Sequence, residues 1–337
     1  LRKSLSFDDV LLVPKHSDIK SRSEVDTANN LGKIRLTLPI ISSPMDTVTE
    51  DKMAHAISEA GGLGIIHRYN TIEEQIDLVC LATGAHKAAA VGMTGDYFER
   101  ATALVEVGTK TLCVDVAHGH HVMMEHCLKT LKDKFGDEVH IMAGNVATLE
   151  GFDALASWGA DSIRVGIGGG SICSTRLVSG HGVPTFQSIL DCAQTLYEDV
   201  KIIADGGIKT SGDIVKAYAA GADFAMVGSL LAGTSETPGE VFRNANGKRY
   251  KVYRGMASEA AQNDWRGKSS SPEGISTTIP YKGKTFQVLT NLHGGIRSGF
   301  SYTGARNFTE FYDKSEFMQQ TNAGQAESFT HILKGHR

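Results

Sequence analysis

Along this chain, short unbroken apolar runs alternate with longer segments in which apolar residues recur every three or four positions. Eight runs stand out: LPIISSPM (38–45), GLGIIHR (62–68), AAAVGM (88–93), TLCVDV (111–116), HIMAGNV (140–146), SIRVGIG (162–168), KIIADGG (201–207) and DFAMVGS (223–229). Most are continuous rather than alternating, the pattern of parallel strands covered on both faces. Between them, segments such as EDKMAHAISEAG, TIEEQIDLVCLAT, MMEHCLKTLKDKFG and SGDIVKAYAAGA read as helices, several stopping at glycine. Thr148 and Ser211 stand at N-cap positions, with acidic residues in the turn that follows. Strand and helix alternating to eight strands predict a closed α/β fold, the (β/α)8 TIM barrel. An open doubly wound sheet is the competitor. Short crossovers, and the lack of a glycine-rich dinucleotide loop after the first strand, weigh against it.

After the eighth strand the alternation breaks. A hairpin is expected around Asn246-Gly247, then a polar stretch, QNDWRGKSSSPEG, that reads as a mobile flap. A final helix (KTFQVLTNLHGGIRSGFSYTGARNFTEFY) and a tail follow. No second domain and no repeat beyond the βα unit is visible. The expected organisation is one catalytic domain over 1–337, with a flap at about 257–275 and a C-terminal tail at about 315–337.

Composition narrows the function. Thirty-seven glycines beside only 7 prolines, without low-complexity tracts, point to many tight turns. A net charge of −4 offers no basic face, so nucleic acid is a poor partner, whereas a small anion held by backbone N–H groups remains open. The 5 cysteines form no C-x-x-C pair, which argues against zinc and disulfides and for a reducing compartment. No run of about 18 apolar residues and no signal-peptide pattern occurs, so a soluble, cytoplasmic protein without membrane contact is expected.

The densest chemistry lies in Gly166-Ile167-Gly168-Gly169-Gly170-Ser171-Ile172-Cys173-Ser174-Thr175-Arg176, after the sixth strand, at the barrel face where active sites are built. Alone, Cys173 would be a packing cysteine; on a glycine turn open to ligand it is a nucleophile. The other four cysteines fall in apolar or helical contexts and read as structural. Asp205-Gly206-Gly207 and Val227-Gly228-Ser229 end strands seven and eight, whose loops hold phosphate in such barrels, with Ser171 and Ser229 as hydroxyl donors and Asp205 as a ribose acceptor. His118, His120 and His121 follow Asp115. Without a carboxylate pair they suit a dinucleotide-contacting loop better than a metal. From local sequence, Glu273 reads as a solvated loop carboxylate.

The chain resembles the IMP dehydrogenase/GMP reductase family over nearly its whole length. SFDDVLLVP, SSPMDTVTE, GGLGIIHR, DVAHGH, AGNVAT, VGIGGGSICSTR, ADGGI, YRGM and GGIRSGFSYTGA carry the likeness in order. The resemblance implies that Cys173 attacks C2 of a purine nucleotide, with Thr175 and Glu273 as its catalytic companions. It places the substrate, GMP or IMP, on Ser171, Asp205, Gly207, Gly228, Ser229, Tyr253, Met256 and Glu273. The nicotinamide cofactor falls to Asp115, Ala117, Asn145, Ser42 and Met45, and K+ to the carbonyls of Gly168, Gly170 and Cys173. The short link between His67 and Ala88 leaves no room for the regulatory CBS domains that dehydrogenases usually carry. MASEAAQNDWRG lacks their Arg-Tyr dipeptide and resembles the flap of the reductase branch, which implies GMP reduced with NADPH (or NADH) to IMP and ammonia. A CBS-less dehydrogenase oxidising IMP with NAD, and a catalytically silent paralogue, are the alternatives. Gly169 and Ser174 depart from the family loop, where Pro or Ser and Thr are more usual. The tail Asn322–Ser328 resembles one that reaches a neighbouring subunit, implying a homotetramer.

Overall fold

All eight apolar runs are strands. The computed structural model describes residues 1–84 and 86–328. The strands are β1 (Ile40–Ser42), β2 (Leu63–Ile66), β3 (Ala88–Val91), β4 (Thr111–Asp115), β5 (His140–Val146), β6 (Ser162–Val165), β7 (Lys201–Asp205) and β8 (Phe224–Val227). Each pairs in parallel with the next, and Ala225↔Ile40 through Val227↔Ser42 join β8 to β1 and close the barrel. Their unbroken hydrophobicity follows from burial on both sides. Ile40, Ile66, Ala89 and Val91 pack outward under the helices, while Ile41, Leu63, Ile65, Ala88 and Ala90 fill the interior.

The outer ring is α1 (Asp51–Glu59), α2 (Ile72–Leu81), α3 (Tyr97–Glu106), α4 (Val122–Phe135), α5 (Leu149–Ser157), α6 (Thr185–Cys192), α7 (Ser211–Ala219) and α8 (Thr285–Thr303). Thr148 caps α5 as expected, accepting from the Gly151 N–H. The expected cap of α7 shifts by one residue: Thr210 caps it and Ser211 is the first helical residue. Asp213 decides this, because its carboxylate accepts from the Thr210 N–H (3.0 Å) while Thr210 Oγ1 accepts from the Asp213 N–H (3.2 Å).

The predicted final helix is two. Gly304, at φ 67°, ends α8, and Asn307 caps a new helix, Phe308–Lys314. Two elements had no clear signal in the sequence. A hairpin of Asn29–Leu31 and Ile34–Leu36 plugs the N-terminal end of the barrel with Leu31, Ile34 and Leu36. Val10–Leu12 pairs antiparallel with Phe317–Gln319, tying the chain's two ends together. Strands of three residues are too short to display a period.

After β8, the Asn246-Gly247 hairpin forms as expected between Phe242–Arg243 and Arg249–Arg254. A third strand, Ser276–Pro280, pairs with the latter. The polar stretch between them is not all loop. Ser258 caps a helix, Glu259–Arg266, which buries Ala261 and Gln262 and ends at Gly267 (φ 68°). Among the described residues no helix is long and apolar enough to cross a membrane. The tail forms a helix at Asn322–Glu327, and residues 329–337 of the expected tail lie outside the described residues.

At the plugged end, His140 packs under Gly32 of the hairpin turn, its Nε2 2.8 Å from Ser162 Oγ, and burial pushes its pKa down from 6.5 to about 4. The unfolded chain therefore takes up a proton that the folded barrel refuses. Stability is full above pH 6.5 and falls as pH drops toward 4, by an amount on the order of 3 kcal/mol. In urea titrations at neutral pH and at about pH 4.5, His140→Gln should lose less stability on acidification than the parent protein. Equal losses would exclude His140 as the source.

Candidate active site

At the C-terminal ends of the strands lies a cleft of about 590 Å³. Its wall contains Met45, Asp115, Ala117, Asn145, Gly168, Gly170, Ser171, Cys173, Thr175, Asp205, Gly207, Gly228, Ser229, Tyr253, Met256 and Glu273, so almost every residue expected at the site is there. Ser42 is the exception. It is fully buried in β1, where its Oγ accepts from Thr49 Oγ1 (2.8 Å), and its neighbour Ser43 lines the cleft instead. Residues that the sequence reading did not single out also form the wall, among them Arg68, Tyr69, Arg164, Gln262 and Arg266. Arg164 carried a legible signal, a lone charge in an otherwise apolar strand.

The loop after β6 depends on glycine. At Gly166 φ is 147°, and a Cβ there would lie 1.9 Å from the Asp205 carbonyl oxygen. Bare backbone lets the β6 loop touch the end of β7. Gly166→Ala should therefore displace Asp205 and weaken nucleotide binding at least about tenfold, measurable by calorimetry. Unchanged affinity would show that the loop relaxes freely. The departure at Gly169 has a local explanation, since a Cβ there would sit 2.5 Å from Thr185 Oγ1.

Cys173 is exposed, and its thiol donates to Thr175 Oγ1 (3.1 Å). The flap docks on this turn. Ser174 N–H donates to the Glu273 carbonyl (2.9 Å), Ile275 N–H donates to the Ile172 carbonyl (3.0 Å), and Cys173 bridges Gly274. A residue one hundred positions away in sequence (273 against 173) thereby joins the wall of the cleft that the thiol lines. By contrast, Cys113, Cys127 and Cys192 are buried, and burial pushes each thiol up to about 12. They are structural, as expected. Cys80 is not packed away: it is exposed on α2, outside the cleft wall.

Two residues before the thiol, on the same turn, Ser171 Oγ lies 3.3 Å from Tyr253 OH. Burial raises the Tyr253 pKa, keeping its hydroxyl a donor. Gly228 lies under Met45 and Tyr253, and Lys282 Nζ donates to the carbonyls of Ser229 and Leu230, tying down the turn after β8. The floor is ionic. Buried Arg164 donates to both Asp115 and Asp205, Asn145 Nδ2 donates to Asp205 Oδ2 (2.9 Å), and Arg68 donates to the Asp115 carbonyl (3.0 Å). The histidines are occupied elsewhere: His121 Nδ1 accepts from the Met123 N–H to cap α4, and His120 packs on Trp158. Among the described residues no group of His, Cys, Asp or Glu is arranged to hold a metal.

A closed parallel barrel with an open cysteine on a glycine turn, facing hydroxyl donors and carboxylates across its C-terminal mouth, defines a (β/α)8-barrel enzyme. The chain belongs to the IMP dehydrogenase/GMP reductase family, whose domain (IMP dehydrogenase / GMP reductase domain) matches residues 4–331. These are purine nucleotide oxidoreductases that work with nicotinamide dinucleotides. An inosine-5'-monophosphate dehydrogenase of Nitrosopumilus maritimus is 34% identical over 470 aligned positions, covering 98% of this chain and 98% of that protein. A GMP reductase of Leishmania major is 32% identical over 481 positions, covering 99% and 98%. Among solved structures, a cysteine-to-alanine variant of GMP reductase from Trypanosoma brucei, in complex with guanosine 5'-monophosphate, superposes with a TM-score of 0.92 at 30% identity over 98% of each chain. Both sequence alignments far exceed the 337 residues of this chain, so the dehydrogenase and the reductase alike carry long internal segments missing here. The short β2–β3 link therefore does not distinguish the two activities.

Proposed function

We propose that the protein is a GMP reductase, converting GMP, NADPH and a proton to IMP, NADP+ and ammonia. The observation that carries this is the flap seated on the cysteine turn, which puts Glu273 in the same cleft wall as Cys173 and Thr175 and lacks the dehydrogenase Arg-Tyr pair. At the place where that tyrosine would follow Arg266, Gly267 closes the flap helix at φ 68°, a conformation costly for any other residue. Similarity alone does not choose between the two, since a dehydrogenase matches at 34% identity and the Leishmania and Trypanosoma reductases at 32% and 30%.

The residues divide the work as follows. Gly207, Gly228, Ser229, Ser171 and Tyr253 hold the phosphate, and Asp205 accepts from the ribose hydroxyls. The Cys173 thiolate adds to C2 of the purine, and the bond from C2 to the amino nitrogen breaks. Glu273, with Thr175, delivers the proton that lets this nitrogen leave as ammonia. Met256 packs against the base. Asp115, Ala117, Asn145 and Met45 line the adjoining part of the cleft, which suits a nicotinamide riboside: Asp115 offers a carboxylate to ribose hydroxyls and Asn145 an amide to the ring. A nicotinamide bound there would supply the hydride for C2, and Cys173 would then leave as thiolate. The loop also offers main-chain carbonyls at Gly168, Gly170 and Cys173, hard oxygen donors suited to K+, which would stiffen the turn bearing the nucleophile. We read 1–337 as one catalytic unit and the tail helix Asn322–Glu327 as a contact in a homotetramer.

A dehydrogenase is the second reading, favoured by Arg266 and Tyr69 lining the same cleft. Pure protein given GMP with NADPH should consume the reduced cofactor and release ammonia. Reduction of NAD with IMP, and no activity with GMP, would reverse the assignment.

A further inference from the structure

We infer that Arg164 is a positioning residue that couples the nucleotide subsite to the cofactor subsite, by orienting one carboxylate in each. This rests on the placement of riboses proposed above, Asp205 for the nucleotide and Asp115 for the cofactor.

Arg164 is the one charged side chain of β6, and its guanidinium is 8% exposed. Its Nε and one terminal nitrogen donate to Asp205 Oδ2 (3.1 and 2.9 Å), and its other terminal nitrogen donates to Asp115 Oδ1. Asp115 ends β4 and Asp205 ends β7, so one side chain crosses the barrel floor between two strand ends. Asn145 Nδ2 adds to the same Asp205 oxygen, leaving Oδ1 free for the cleft. At Asp115, Oδ2 has Arg68 Nε at 3.7 Å, beyond hydrogen-bond range. Each carboxylate thus has one oxygen tied to Arg164 and one available to accept from a ligand hydroxyl.

The coupling follows from sharing. A guanidinium is a rigid planar fork, so a rotation that improves its contact with one carboxylate alters its contact with the other. Arg164 is also shared by two anions, while Arg68 makes only a longer ion pair with Asp115 (Nε to Oδ2, 3.7 Å). Ligand hydroxyls that donate to Asp205 meet part of its demand on Arg164 and let the guanidinium commit more fully to Asp115. Burial strengthens both contacts. The Cys113 sulfur 3.6 Å away restricts the fork further. Binding of either ligand then orders the acceptor for the other.

The test is calorimetric titration of GMP, with and without NADP+, into the parent protein, Arg164→Lys and Asp115→Asn, each checked by thermal melting. A lysine ammonium keeps the charge but cannot span both carboxylates. In Arg164→Lys, GMP and NADP+ should both bind about tenfold more weakly, and NADP+ should no longer tighten GMP. Asp115→Asn, which is isosteric and lowers the buried charge, covers the case in which the lysine variant does not fold. It should shift GMP affinity several-fold even without cofactor, although Asp115 lies outside the nucleotide subsite. Loss of affinity for one ligand alone in Arg164→Lys, or unchanged GMP affinity in Asp115→Asn, overturns the coupling. Asp205→Asn with full GMP affinity would instead remove the ribose placement beneath it.

Discussion

Cys173→Ala protein should bind GMP and leave it unconverted. Turnover should fall by at least about 10⁴-fold, because the covalent route is lost rather than slowed. No other thiol can take over. Cys113, the cysteine that touches Arg164 under the floor, is buried and pushed up to about 12, and exposed Cys80 is outside the cleft wall. Affinity should survive, since the phosphate and ribose groups are held by the turns after β7 and β8 and by Ser171. Steady-state rates beside a calorimetric Kd would show the split. Turnover within tenfold of the parent would eliminate the covalent mechanism.

Glu273→Gln should lower kcat by about 10²- to 10⁴-fold with little change in KM. Gln keeps the size and hydrogen-bonding of the side chain but has no proton to give to a departing amine. The flap should remain seated, because its link to the cysteine turn runs through the main chain: Ser174 N–H to the Glu273 carbonyl (2.9 Å), and Ile275 N–H to the Ile172 carbonyl (3.0 Å). Glu273→Asp, which retains a carboxyl, should recover part of the rate. A Gln variant with parental kcat would move the proton-donor role elsewhere, Thr175 being the nearest candidate.

Much of the fold was legible because it is written locally. Eight apolar runs became eight strands, and glycines after β6, β7 and β8 marked the mouth where ligand is expected. Errors arose where a particular side-chain partner, three residues away or across the fold, overrode the expected pattern. Asp213 moved a helix cap from Ser211 to Thr210. Thr49 turned Ser42 into the wall behind the cleft. Burial of Ala261 and Gln262 made a helix of a stretch that looked like loop.

By itself, then, the sequence determined the barrel, the cysteine turn and the family, because periodicity and glycine-dependent turns act over a few residues. Only the tertiary structure decided that the flap carrying Glu273, whose local sequence reads as solvated loop, docks on the cysteine turn, and that one arginine joins Asp115 to Asp205. Those contacts link residues from 41 to about a hundred positions apart. They form only when barrel closure and flap docking bring the strand ends together, and no local pattern encodes them.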